Sequence, residues 1–143
     1  MFRIILEAQR KSPSTDPVHL ASTLSNLGVV LIKQEKYQDA EPHLREAIQV
    51  FKDTQGAEAF KVGVAMMNLG RCLTGLNHFE EAEQALLEGY GIMSMSQSPE
   101  HPYVKRACEL LGELYEAWGK KDQAEKWRAT AAGEVASKEQ GRG

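Results

Sequence analysis

Apolar positions in the first half of the chain follow helical spacing in two successive stretches. Leucines recur at intervals of four, three and four residues between Leu20 and Leu31, which places them on one face of a first helix. Apolar residues between Tyr37 and Phe51 keep a similar spacing and predict a second helix. The polar segment "KQEK" that separates the two stretches is long enough only for a tight turn. The two helices must therefore run antiparallel, as a helical hairpin.

The sequence pattern of this hairpin occurs three times in the chain. The segment "NLGVVLIKQEKYQDAE" begins at Asn26, "NLGRCLTGLNHFEEAE" begins at Asn68 and "LLGELYEAWGKKDQAE" begins at Leu110, so the period is 42 residues. A fixed period of this size predicts stacked units, each of which buries its open face against a neighbour. We therefore expect an all-α fold, a right-handed α-solenoid of antiparallel helical hairpins with about seven helices.

A glycine and an alanine recur at fixed places in each copy. Gly28 on the first helix precedes Ala40 on the second by twelve residues, and both later copies keep this pair. Small residues allow two backbones to approach without intervening side chains. We expect Gly28 to face Ala40.

The repeat register also predicts how the chain is organised. Residues 1–132 form one repeat domain, which starts with a remnant, residues 1–11, of the second helix of a preceding unit. The three complete units are predicted over residues 18–59, 60–101 and 102–132, the last including the cap, and a disordered tail over 133–143. The missing first helix suggests the carboxyl-terminal piece of a longer array. The apolar side chains of residues 1–11 need a cover, either on the helix from Leu20 to Leu31 or from another molecule, so a homo-oligomer through this segment is a secondary expectation.

The copies resemble the tetratricopeptide repeat. They share leucine, glycine, a large apolar residue three positions later, an aromatic residue at the start of the second helix, and two alanines seven residues apart. The longer period, with "NLG", "AEPHLREAI" and "HPYV", resembles the kinesin light chain subtype of this family. The ending "LLGELYEAWGKKDQAEKWRA" is similar to the last repeat of arrays attached to bacterial serine/threonine protein kinases. The resemblance implies a protein-binding solenoid.

One turn position departs from the family pattern. This turn position is often glycine in these repeats. The third copy has glycine there, Gly119, whereas the earlier copies have Glu35 and Asn77. Asparagine tolerates the left-handed conformation and glutamate does so less readily. The geometry of the first turn therefore stays open.

Composition removes several classes of function. The net charge is −3, from 17 basic and 20 acidic residues scattered along the chain, which gives no electrostatic footprint for nucleic acid or an anionic membrane. The longest apolar run, "VVLI", is far too short to span a bilayer. Cys72 and Cys108 lie at apolar positions of predicted helices, where buried reduced thiols are expected. These features fit a cytoplasmic protein.

No catalytic chemistry is indicated. The 4 histidines are scattered, none lies four residues from another, and neither cysteine shares a ligand spacing with one. The chain also lacks a glycine-rich phosphate loop, a GxSxG motif and a kinase signature. We predict no metal, no cofactor, no catalytic residue and no enzymatic activity.

Function must then lie in the surface that the stack creates. Stacked hairpins curve, and their first helices line the concave side. The candidate peptide-binding residues on that side are Ser22, Ser25, Asn26, Val29, Lys33, Val64, Met67, Asn68, Arg71, Arg106, Glu109, Glu113 and Glu116. We expect a groove with an apolar, amide-bearing middle, one central arginine and an acidic far end.

Asn26 and Asn68 are the sharpest candidates in this set. A carboxamide can donate to a peptide carbonyl and accept from a peptide N–H, which suits binding that tolerates many sequences. Related repeats use asparagines on their first helices in this way. Each asparagine could equally bond within its own stack.

Two further sets of residues have competing interpretations. Arg71 could pair with a ligand carboxylate, and we favour the alternative of an ion pair with Glu113 across the groove. Trp118 and Trp127 could form a ligand cage, and we favour the alternative that they seal the last hairpin.

Three functions remain open at this point. The leading one is a protein interaction scaffold that binds a partner protein or peptide segment in the concave groove. The second is the carboxyl-terminal regulatory module of a larger signalling enzyme, such as a bacterial serine/threonine kinase. The third is a self-assembly module.

Overall fold

The structure is a computed structural model that describes residues 16–133. Three antiparallel helical hairpins form this part of the chain. The six helices are α1 Pro17–Lys33, α2 Tyr37–Gln55, α3 Phe60–Gly75, α4 Phe79–Ser96, α5 Pro102–Ala117 and α6 Lys121–Ala131. The predicted all-α solenoid of helical hairpins is confirmed. Two expectations lie outside the described residues: the helix over residues 1–11 with the association through it, and the tail beyond Gly133.

Two of the first helices begin at side-chain caps. Asp16 precedes α1, and its carboxylate accepts a hydrogen bond from the N–H of Val18 at 2.9 Å. His101 precedes α5, and its Nδ1 accepts from the N–H of Tyr103 at 3.1 Å. In both cases proline is the first helical residue, where its missing N–H costs nothing and its fixed φ favours the helix. These caps fix where the first and third hairpins start.

Each hairpin turns through the same backbone conformation. Glu35, Asn77 and Gly119 have φ values of 60°, 63° and 81°, all in the left-handed region. In the first turn the N–H of Lys36 donates to the carbonyl of Leu31 at 2.8 Å, the bond that closes a Schellman motif. The equivalent bonds form in the other two turns at 2.9 and 2.8 Å. The first turn therefore has the family geometry although its residue is glutamate.

The glycine that recurs in each first helix lies directly against a side chain of the second helix. A Cβ added to Gly28 would lie 2.7 Å from the side chain of Leu44, and one added to Gly70 would overlap Leu86. The nearest neighbour of Gly28 is not the expected Ala40 but Leu44, the residue one helical turn later, whereas in the third hairpin the Ala124 carbonyl lies 3.5 Å from a Cβ built on Gly112. Ala40 itself is fully buried and packs in the core. The glycine thus lets a large side chain of the second helix reach the first helix backbone.

Neighbouring hairpins stack with the second helix of one against the first helix of the next. α2 packs on α3, and α4 packs on α5. First helices also lie against one another, α1 with α3 and α3 with α5, whereas the backbones of α2 and α4 stay apart. Long side chains bridge that wider gap, as where Arg45 meets Glu81 at 3.2 Å. This difference in spacing puts the first helices on the inner side of the curved stack.

Aromatic residues at the start of the second helices join successive hairpins. The Tyr37 ring lies over Gly75 at the end of α3, where an added Cβ would be 2.5 Å from it. One period later, Phe79 stacks on Trp118 just after α5, with ring centroids 5.8 Å apart. The hydroxyl of Tyr115 on α5 donates to Glu83 on α4 at 2.7 Å. Burial and this bond raise the pKa of Tyr115 well above its usual range.

The turn at Glu35 predicts a stabilising substitution. The Cβ of glutamate is sterically unfavourable in the left-handed region, and glycine has no Cβ. Glu35→Gly should therefore raise the free energy of unfolding by roughly 0.5–1 kcal/mol. Urea unfolding of the two proteins measures this difference. The matched control is Gly119→Glu, which places the same side chain in the third turn and should lower stability by a similar amount. A loss of stability in Glu35→Gly would contradict this account of the turn.

The two cysteines predict slow thiol chemistry. Cys72 and Cys108 are buried and unbonded to each other, and burial raises the pKa of both thiols to about 11. We expect a disulfide reagent to label both rapidly in denaturant and only at the rate of unfolding in the native protein. Even at pH 9.0, the ordinary pKa of a thiol, native labelling should stay slow because the folded thiols remain protonated.

A single exposed thiol provides the control for this measurement. Ser94 lies on the outward face of α4, so Ser94→Cys should react at once in the folded protein. Fast labelling of Cys72 or Cys108 under native conditions would show that the core around them is open.

Candidate functional site

The concave side of the stack carries a groove between α1, α3 and α5. Its volume is about 510 Å³. Nine of the thirteen sequence-predicted residues line it together, namely Ser25, Asn26, Val29, Lys33, Val64, Met67, Asn68, Arg71 and Arg106. Helical periodicity therefore correctly identified most of the residues that line this groove.

Three residues of the groove were missed by sequence reasoning. Val30, Tyr103 and Leu110 complete its lining. Leu110 stands one period after Asn68, so the register pointed to it, but its residue type suggested core. Tyr103 lies in the segment "HPYV", which sequence reasoning treated only as a mark of the repeat subtype. Its side chain is 47% exposed and groups with Phe60 and His101, with ring centroids 6.1 and 5.9 Å away.

The predicted acidic far end does not form part of this groove. Glu109 and Glu113 instead line an adjoining hollow of about 420 Å³ against α6, which shares Arg106 with the groove. Glu116 reaches Arg128 on α6 at 3.5 Å. Ser22 is half-buried on α1 and does not line the groove. The last first helix therefore presents its acidic residues to its own hairpin partner.

Asn68 is the most unusual polar group in the groove. Its side chain is only 9% exposed, and its carboxamide has no hydrogen-bond partner among residues 16–133. Asn26, one period earlier, is exposed and likewise makes no side-chain hydrogen bond within that range. The alternative in which each asparagine bonds within its own stack is therefore not what the structure shows. A buried amide without a partner is costly, and native structures contain few.

Among residues 16–133, three cations and no carboxylate line the groove. Arg106 meets Glu109 on its own helix at 3.6 Å, whereas neither Lys33 nor Arg71 forms an ion pair with another residue of the described chain. The favoured pairing of Arg71 with Glu113 is absent, because Glu113 faces the hollow beside α6. Two of the three groove cations, Lys33 and Arg71, are therefore not neutralised by another residue of the described chain.

Both tryptophans pack against the protein. Trp118 stacks on Phe79 and carries the ammonium of Lys120 at 3.7 Å from its ring centroid. Trp127 meets the ring of Tyr90 edge to face, with centroids 5.3 Å apart. Both are partly buried against the core. The sequence favoured a role in sealing the last hairpin, and the structure shows both rings packing between that hairpin and the preceding one.

No metal-binding or membrane-spanning element is found in the described region. Within residues 16–133 no three His, Cys, Asp or Glu side chains are grouped closely enough to hold a metal ion. None of the helices over those residues is long and apolar enough to cross a membrane. The groove is thus the feature of this region with the most distinctive chemistry.

Comparison with known proteins places the fold. Residues 19–95 match the tetratricopeptide repeat family. The solved structure of BtubC (BKLC) from P. vanneervenii superposes with a TM-score of 0.80 over 95% of this chain, at 20% sequence identity. The chain spans about half, 54%, of the length of that protein. A search of curated proteins found no match. Since the family match covers more than half of its residues, the chain belongs to the tetratricopeptide repeat family.

Proposed function

We propose that this chain is a protein interaction module that holds an extended segment of a partner protein in the groove between α1, α3 and α5. Tetratricopeptide repeats generally mediate interactions between proteins, and the family is typically a non-catalytic scaffold. The observation that carries the proposal for this chain is the buried, unpartnered carboxamide of Asn68. The groove is the place where a ligand could satisfy it.

The position of Asn68 argues that folding did not require an amide there. The third repeat has Leu110 at the same register position, where it lies in the groove lining and is buried. A leucine is therefore compatible with this place in the stack. Leaving a buried amide unsatisfied costs about 1–3 kcal/mol. That cost is offset if the amide bonds to a ligand that arrives after folding.

A peptide backbone is the ligand that suits two such amides. Asn26 and Asn68 lie at equivalent places on neighbouring first helices, so their carboxamides can form hydrogen bonds with one bound chain at two points. Each can donate to a peptide carbonyl and accept from a peptide N–H, whatever the side chains of the ligand. Apolar contacts from Val29, Val64 and Met67 beside them would then hold the ligand's side chains.

The finer assignment of the chain is also a proposal. We assign it to the kinesin light chain-like subtype, with repeats over residues 18–59, 60–101 and 102–132, on the basis of the 42-residue period and the phrases "NLG" and "HPYV". A cytoplasmic location is consistent with two buried cysteines that form no disulfide.

Asn68→Leu separates a role in folding from a role in binding. We expect the free energy of unfolding to rise by about 1 kcal/mol, because the substitution removes an unsatisfied buried amide. We expect capture of peptides from an array of random sequences to fall about tenfold, which corresponds to the loss of a ligand hydrogen bond to a buried group. Urea unfolding and array binding of the same two proteins give both numbers.

The matched control is Gln123→Leu, which removes an exposed carboxamide of α6 outside the groove. It should leave peptide capture unchanged. If Asn68→Leu destabilises the protein and captures the same peptides as before, Asn68 serves the fold and the groove proposal fails.

A further inference from the structure

We propose that two copies of this chain pair through the outer face of α4, with their α4 helices antiparallel and crossing at Gly91. Leu87, Gly91 and Met95 follow one another at intervals of four residues on this face, and they form the α4 ridge. Residues four apart on a helix make a ridge that can pack against a second helix. Because the second helices lie on the outer side of the stack, the α4 ridge is separate from the groove that carries the proposed function.

The α4 ridge holds most of the large apolar side chains that are exposed in the described chain. Among residues 16–133 three such side chains are exposed, and Leu87 at 39% and Met95 at 60% are two of them. The third, Tyr103, belongs to the groove. Leu87 and Met95 lie about 12 Å apart along the helix axis. A partner that covered both would remove their apolar surface from water, which favours association.

Gly91 has no neighbour within residues 16–133. A Cβ built on it would meet nothing within 4 Å, whereas a Cβ built on any other helical glycine of that range would meet an atom of another helix. Glycine inside a helix is destabilising relative to alanine, so the fold alone favours alanine at this place. The missing side chain does leave room for the backbone of a second helix to approach α4 between Leu87 and Met95.

The symmetry of the α4 ridge favours a second copy as the occupant. A two-fold contact requires a surface that is complementary to itself. When Gly91 of both chains lies at the two-fold axis, antiparallel helices place Leu87 of each chain against Met95 of the other. A ridge with a large residue on only one side of the glycine could not make both contacts.

Charge selects the antiparallel orientation of the two helices. Residues 80–88 of α4 include four carboxylates, whereas residues 89–96 carry no charge. Parallel helices would bring two acidic halves together, and antiparallel helices place each acidic half against an uncharged one. Glu88 then lies opposite Ser94 of the second copy, whose hydroxyl can donate a hydrogen bond to the carboxylate. The opposed helix dipoles favour the same orientation.

The small size of the α4 ridge limits the strength of the contact. One helix face buries much less than the roughly 800 Å² per partner that stable interfaces bury. We therefore expect a dissociation constant of roughly 0.1–1 mM. Paired chains would leave both grooves open, so a partner with two binding segments would bind the pair more tightly than it binds one chain.

Sedimentation equilibrium of the whole chain between about 10 µM and 1 mM tests the proposal. We expect the average mass to rise from one chain toward two over this range. Leu87→Gln combined with Met95→Gln should keep the protein monomeric, because it removes the apolar side chains and adds no charge. Gly91→Ala should weaken association about fivefold. It should also raise the melting temperature by about 2–4 °C, because alanine favours the helix and meets no neighbour.

The matched control is Tyr103→Gln, which removes the exposed large hydrophobic side chain that lies outside the α4 ridge. It should leave the association unchanged. Circular dichroism of each variant verifies that it folds. The concentration dependence of the unaltered chain decides the question even if a variant does not fold.

Cysteine cross-linking tests the geometry of the pair. Gly91→Cys should form an intermolecular disulfide under mild oxidation, because the two residues meet at the two-fold axis. Gln123→Cys, on the exposed face of α6, should not. A mixture of Leu87→Cys and Met95→Cys should cross-link several-fold more than either variant alone. The two native thiols are buried and stay out of the reaction.

The contradicting results are distinct. A strict monomer at about 1 mM would overturn a second copy as the occupant of the α4 ridge. Association that survives the double glutamine variant, or that is lost in Tyr103→Gln, would overturn the proposal by placing the contact elsewhere. Leu87→Cys that cross-links with itself as readily as with Met95→Cys would overturn the antiparallel arrangement. None of these results depends on peptide capture by the groove, so the proposed function can stand or fail independently.

Discussion

The groove depends on how the second helix packs against one glycine of the first helix in each of the first two hairpins. Because Gly28 and Gly70 carry no side chain, Leu44 and Leu86 can insert against the first helix backbone. The first helices are thus held against their own partners by large buried side chains and still reach one another across the stack. The second helices remain farther apart, and the curvature that results creates a concave surface.

Contacts between hairpins account for much of the pattern that changes between repeats. Tyr37 and Phe79, at the start of α2 and α4, each pack on the end of the next first helix. In the third copy this place is taken by Lys121, and no further first helix follows α6 in the described chain. An aromatic residue there would have no further first helix to pack on among residues 16–133.

Much of the fold could be predicted because it is encoded in register. A period of 42 residues and helical spacing within it fix the hairpins and identify the concave positions. The left-handed turn at Glu35 could not be predicted with the same ease, because the Schellman hydrogen bonds outweigh the residue's own preference. Repetition of the fold therefore overrides a local preference of about 1–2 kcal/mol.

Periodicity was less informative about the charges in the groove. It placed Glu113 on the concave side, but the direction of a side chain near α6 depends on the partner helix, which offers Arg128 to the acidic face of α5. It also could not show that Asn68 lacks a partner, since hydrogen bonding is a property of the folded neighbourhood. The two features that carry the functional argument thus became visible only in three dimensions.

The central claim is that a ligand satisfies the buried amide of Asn68. The most direct measurement is a titration of the isotopically labelled protein with a selected peptide, followed through the side-chain amide signals of Asn26 and Asn68 in nuclear magnetic resonance spectra. The account predicts that both signals move during the titration, and that the Asn68 amide protons shift downfield as they donate to the peptide. Signals that move only on the outer helices, with Asn68 unchanged at saturation, would contradict it.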